Sequence, residues 1–128
     1  MDSNLSFWRI LMAFQLTALL IVMGSAYIGT PVVHYKQYDF YVHFLLFGIT
    51  SYLAHRASNR KKTLFFKVVL PVWPVIFIVL SCLEESLQLL SEHRTFSLFD
   101  MLGNVFGITF FSVLDNLWLK WTMSNESN

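Results

Sequence analysis

Residues 84–107 read EESLQLLSEHRTFSLFDMLGNVFG, and they join two long apolar segments. Nearly every polar side chain with chemical potential lies in this stretch: Glu84, Glu85, Gln88, Arg94, Asp100 and Asn104. Glu85 and Gln88 are three apart, which places both on one face of a helix. Asp100, Asn104 and Gly107 run at i, i+4, i+7, which marks a second helical face. Arg94 lies in the connection between them. The pattern predicts a helical hairpin whose two polar faces meet near its turn.

The rest of the composition says what surrounds that hairpin. Of 128 residues, 55% are hydrophobic and 17% aromatic, and mean hydropathy is +0.55. Charged residues make up 13%, against about 25% in ordinary soluble domains. A chain this short cannot hide so much apolar surface in its own core, so lipid must solvate much of it. The net charge of +1 and the lack of any interleaved basic and aromatic patch exclude a nucleic-acid binder. Cys82 is the single cysteine. No internal disulfide or thiolate cluster is expected, and its apolar neighbours mark it as inert packing.

Outward from the hairpin, the apolar runs predict four spans. The first covers about 7–28, roughly the twenty residues a bilayer core requires, with Gln15, Thr17 and Ser25 as polar exceptions. A cleaved signal peptide is the rival reading, but the run is long and the leading region carries only Arg9. Gly29-Thr30-Pro31 stops this helix, and residues 30–37 form a short polar-aromatic loop. The second span covers about 38–54, with Asp39 and His43 in its first turns and Gly48, Thr50 and Ser51 as small packing residues. The third covers about 64–90. Pro71 and Pro74 either bend its entry or move its start to about residue 71. Ser97-Leu98-Phe99-Asp100 fits a capping box, and it opens the fourth span, about 98–118. Lys120 and Trp121 mark an interface, and the final SNESN reads as a frayed polar tail. The expected fold is all-α: a four-helix transmembrane bundle forming one domain over 1–128.

With four spans, Arg9, Arg56, Arg60, Lys61, Lys62, Lys67 and Lys120 share one side, and Lys36 and Arg94 the other. Basic residues concentrate on the cytoplasmic side. Both termini are therefore expected there, and the 84–107 stretch is expected to face outward, level with Asp39 and His43.

Each polar residue has an ordinary reading beside a functional one. A lone carboxylate in lipid costs a few kcal/mol. Glu85, which shares a face with Gln88, is the expected inward carboxylate, and Glu84 the solvated one. Arg94 has an ordinary reading as a turn residue among headgroups; beside it stand a pairing with Glu85 or Asp100 that locks the hairpin and a grip on a phosphate or carboxylate, two roles that can coexist. Asp100 fits a helix-start residue at N3. Asn104 lies a turn deeper, where an interhelical hydrogen bond is its usual task. Gly103 and Gly107 have the spacing of close helix packing. His43 is either a satisfied buried histidine or a proton acceptor facing Glu85 or Asp100. His43, His93, Glu85 and Asp100 supply metal-donor types, but no HExxH-like spacing supports a site. No metal and no cofactor is expected.

The spacing E-x-x-Q, arginine six residues on, aspartate six further and then N-x-x-G resembles the signature of VanZ-like integral membrane proteins. Here it reads Glu85, Gln88, Arg94, Asp100, Asn104, Gly107. The upstream family pattern D-K-x-x-H-F meets Asp39, His43 and Phe44. Phe40 stands where the lysine is expected, so that lysine's contacts are not carried over. The resemblance covers about 39–107 and implies a multi-pass protein of the bacterial cell membrane. The family takes its name from an accessory determinant of resistance to teicoplanin, an acylated glycopeptide.

Three function classes follow. One is a site that binds or handles an amphiphile: a membrane lipid headgroup, a lipid-linked envelope precursor or an acylated glycopeptide. The second is an intramembrane enzyme on a lipid-linked substrate, using Glu85, Asp100 and His43 for proton transfer. The third is a small scaffold packing through Gly103 and Gly107 against a membrane partner or a second copy.

Overall fold

A computed structural model describes residues 2–30 and 38–126. The expected 30–37 loop lies outside the described residues, apart from Thr30. Four helices dominate: α1 (Asp2–Tyr27), α2 (Asp39–Ala57), α3 (Val72–Leu87) and α4 (Leu98–Glu126). Three segments are long and apolar enough to cross a membrane: Asn4–Tyr27, Val72–Leu90 and Leu98–Asn125. The remaining helix, α2, is the hub, packing against the other three. Its 19 residues extend about 28 Å at 1.5 Å per residue. It buries His43, Thr50, Ser51 and His55 beside Phe47 and Leu53.

Helix ends follow local chemistry. Gly29 has φ +76°, and Thr30 N–H reaches Ser25 O (2.9 Å) while Gly29 N–H reaches Ala26 O (3.3 Å). This is a Schellman stop, which requires a left-handed residue at that position. α2 ends the same way, with Asn59 at φ 57° and Arg60 N–H bonded to His55 O (2.8 Å). At its far end α4 runs through Ser124–Glu126, so most of the expected frayed tail is helical.

The third helix begins at Val72, the later of its two expected starts, and not near residue 64. Residues 62–71 form an antiparallel hairpin, β1 (Lys62–Phe65) and β2 (Val68–Pro71), with Phe65 opposite Val68. β-branched and aromatic residues favour strands. Pro71, extended at φ −70° and ψ 126°, sets the start of α3. Pro74 sits in the first turn, where a missing N–H costs nothing.

The core joins Leu19, Phe47, Ala54, Phe77 and Ile108 across all four helices. Outside it, large apolar side chains such as Ile10, Phe14, Leu20, Leu83 and Phe106 are exposed, as lipid-facing residues are. Where helices are surrounded by lipid there is no hydrophobic drive between them, and close backbone packing takes its place. α2 and α4 meet through glycine. A Cβ on Gly107 would collide with the backbone of Phe44, and one on Gly103 would lie 2.7 Å from Phe40 O. Gly48 answers from α2: its Cβ would lie 2.8 Å from Gly107 O. The Gly103/Gly107 face is thus filled by α2 of the same chain, and a second copy would have to use another surface.

Candidate functional site

α2, α3 and α4 bring the polar residues of the hairpin together with His43 in one buried network. Glu85, Gln88 and Asn104 are fully buried, His43 and Asp100 nearly so. Gln88 Nε2 donates to Glu85 Oε2 (2.9 Å) and to Glu84 Oε1 (3.0 Å). Arg94 Nε donates to Gln88 Oε1 (3.2 Å). Arg94 Nη2 lies 3.5 Å from His43 Nε2, and His43 Nδ1 lies 3.0 Å from Asn104 Oδ1. One tautomer satisfies both contacts: Nδ1 carries the proton and donates to Asn104, and Nε2 keeps its lone pair toward Arg94.

The turn is closed by an exchange of partners. Ser97 is the N-cap of α4, its Oγ accepting from Asp100 N–H (3.3 Å). A complete capping box would have Asp100 accept in return from Ser97 N–H. That amide instead donates to Glu85 Oε1 (2.7 Å). One helix thereby supplies the capping carboxylate of the next. The Asp100 carboxylate is released from its local role, and among the described residues no hydrogen bond reaches it.

Two expectations are corrected here. Glu84 is half-buried rather than simply solvated. Tyr27 Oη of α1 donates to its Oε1 (3.0 Å), and its Oε2 is buried. Arg94 does not lock the hairpin by pairing with Glu85 or Asp100: among the described residues no ion pair joins it to either carboxylate. Arg94 binds an amide and an imidazole, so its charge is not cancelled at contact distance.

Asp39 opens α2 and is half-buried. With Arg94 it lines two cavities. The smaller, about 40 Å³, lies against α1 at Met23 and Ala26. The larger, about 610 Å³, is walled by Phe40, Ser97, Phe99 and Asp100. His43, Glu85 and Asp100 each offer one donor atom, and these atoms lie within 4.8 Å of one another. His93, the other histidine of the hairpin, is apart from them, its ring against Gly29.

Sequence reasoning overlooked Tyr27 and a second polar cluster. Asp115, in α4, is buried and accepts from Arg56 Nη1 (3.0 Å), Arg60 Nε (2.8 Å) and Arg60 Nη2 (2.9 Å). Arg56 also lies 4.2 Å above the Trp8 ring of α1. Arg56 and His43 are about 20 Å apart along α2, so the two clusters occupy opposite ends of the bundle. The signal was present: a single aspartate within the apolar run of α4 demands a partner. Set against models of protein families, curated proteins and solved structures, the chain matches none of them.

Proposed function

We propose that this chain is a VanZ-like multi-pass protein of a bacterial cell membrane whose polar site binds the anionic headgroup of an amphiphile. The ligand class is a membrane lipid, a lipid-linked envelope precursor or an acylated glycopeptide, and the role is in envelope biogenesis or in teicoplanin-type resistance. One observation carries this reading: Arg94 is held by Gln88 and His43 at the wall of the larger cavity, with no carboxylate paired to it among the described residues. A planar guanidinium fixed in this way suits a phosphate or carboxylate. The N-terminus of α4 adds positive dipole potential at the same cavity, and exposed apolar faces on α1, α3 and α4 suit an acyl chain. The bias of Arg and Lys toward the Arg56–Lys67 end supports an outward-facing site.

The test is lipid retention by purified protein in nanodiscs, with phosphatidylglycerol against phosphatidylcholine. Wild type is expected to retain the anionic lipid and Arg94→Ala to lose that preference. Equal retention by both proteins refutes the reading. In cells, teicoplanin susceptibility at equal protein level is expected to differ between the two.

The convergence of His43, Glu85 and Asp100 favours a second reading, an intramembrane enzyme on a lipid-linked substrate. Lipid extracts of cells carrying wild type or Glu85→Gln, compared by mass spectrometry, decide it. Identical lipid species exclude such an enzyme.

A further inference from the structure

The carboxylates at the site raise a question of charge. Glu85 and Asp100 are buried at the end of a bundle whose outer faces suit lipid, and neither is ion-paired among the described residues. Buried charges are paired or coordinate metals. We infer that His43 Nε2, one oxygen of Glu85 and one of Asp100 form a site for a divalent transition-metal cation, with an open position toward Arg94 for a phosphate-bearing headgroup.

Four features fit ligation. One donor atom from each of the three residues, for His43 a ring nitrogen, already lies within 4.8 Å of the others. A cation about 2.0–2.2 Å from each ligand would draw them together by roughly an ångström, within the reach of side-chain rotation. His43 Nδ1 is tied to Asn104 Oδ1 (3.0 Å), which leaves Nε2 as the inward lone pair. Metal-bound histidines have their other nitrogen held in this manner. Each Glu85 oxygen accepts one hydrogen bond, from Ser97 N–H or from Gln88 Nε2, and keeps a second lone pair. Asp100 is 9% exposed and has no hydrogen bond to its carboxylate among the described residues.

The ligands come one each from α2, α3 and α4, which is why no local sequence motif announces them. One imidazole and two carboxylates suit Mn²⁺, Fe²⁺ or Zn²⁺. Glu85, Asp100 and Arg94 sum to −1, and a divalent cation makes the sum +1. Arg94 leaves its 3.5 Å contact with His43 Nε2 while Gln88 still holds its Nε. Guanidinium and cation then bind one anion together. Cation and anionic lipid thus strengthen each other's binding, by the same factor in both directions. The cation site stands without the lipid reading; only the anion between cation and Arg94 rests on it.

The experiment uses the full chain in detergent, stripped with a chelator and loaded with Mn²⁺. Electron paramagnetic resonance is expected to show one bound Mn²⁺ per chain, and its pulsed form a ¹⁴N coupling from His43. Asp100→Asn is expected to weaken binding at least about tenfold. Arg94→Ala is expected to tighten it, because a like charge is removed. Wild type without bound Mn²⁺, or with bound Mn²⁺ lacking nitrogen coupling, overturns the site, and neither result depends on a variant folding. Loss of the Arg94-dependent phosphatidylglycerol preference with the Mn²⁺ signal intact would sink the lipid reading alone.

Discussion

Replacing Asp115 by alanine tests how the end of the bundle opposite the site is held. Asp115 accepts three charge-assisted hydrogen bonds from two arginines, and its side chain is 1% exposed against 14% for Arg56 and 24% for Arg60. Removing one partner of a buried ion pair costs about 3–5 kcal/mol, because the other charge is left behind. Arg56 keeps the Trp8 ring at 4.2 Å, so its charge is not left among apolar groups alone, and Arg60 has some access to solvent. The lower figure therefore applies, about 3 kcal/mol. Arg60 itself has φ 54°, a conformation that costs about 1–2 kcal/mol for a non-glycine residue, so the 58–61 turn is expected to loosen together with α4. The assay is reversible unfolding in mixed micelles by denaturing-detergent titration, with exposed Glu92→Ala as control. A second arm replaces Asp115, Arg56 and Arg60 all by leucine. It is expected to recover most of the loss, since exchanging a whole buried ion cluster for apolar groups is often neutral. An Asp115→Ala protein within about 0.5 kcal/mol of wild type, the usual range of surface changes, would refute the reasoning. So would a triple variant no better than the single one.

Three more outcomes follow from the same geometry. Gly107→Ala would drive a methyl into the Phe44 backbone, whereas Gly24→Ala meets nothing within 4 Å; the first is expected to lose about 1–3 kcal/mol in that titration and the second none. Ser97→Ala removes the acceptor of Asp100 N–H and is expected to cost about 1 kcal/mol, while Ser97→Thr, which keeps the hydroxyl, retains stability. Phe66 and Lys67 have φ 44° and 69° in the two-residue hairpin turn. Phe66→Asn with Lys67→Gly supplies the residues this turn prefers, and amide exchange of residues 62–71 is expected to slow about tenfold, the equivalent of roughly 1–2 kcal/mol.

How far the sequence told this in advance depends on where each polar group's partner lies. The Gly29 stop, the Ser97 cap and the inward Glu85 were legible because each rests on neighbours within a turn or two, or on the cost of a carboxylate in lipid. The hairpin at 62–71 was missed because a short apolar run fits a buried helix as well as a strand. Asp115 was missed although the rule that exposed Glu85 applies to it equally. The Ser97 amide shows the deeper reason. It had two acceptors within reach of the chain: Asp100, three residues on, and Glu85, twelve residues back. Local propensity favours Asp100. Burial favours Glu85, which is fully enclosed and would cost a few kcal/mol if left without donors, whereas Asp100 lines the larger cavity, where water or a ligand can reach it. The non-local bond wins because its absence costs more, not because it is the stronger bond. The same choice strips Asp100 of its local partner, so the groups that close the hairpin also leave a carboxylate facing the cavity.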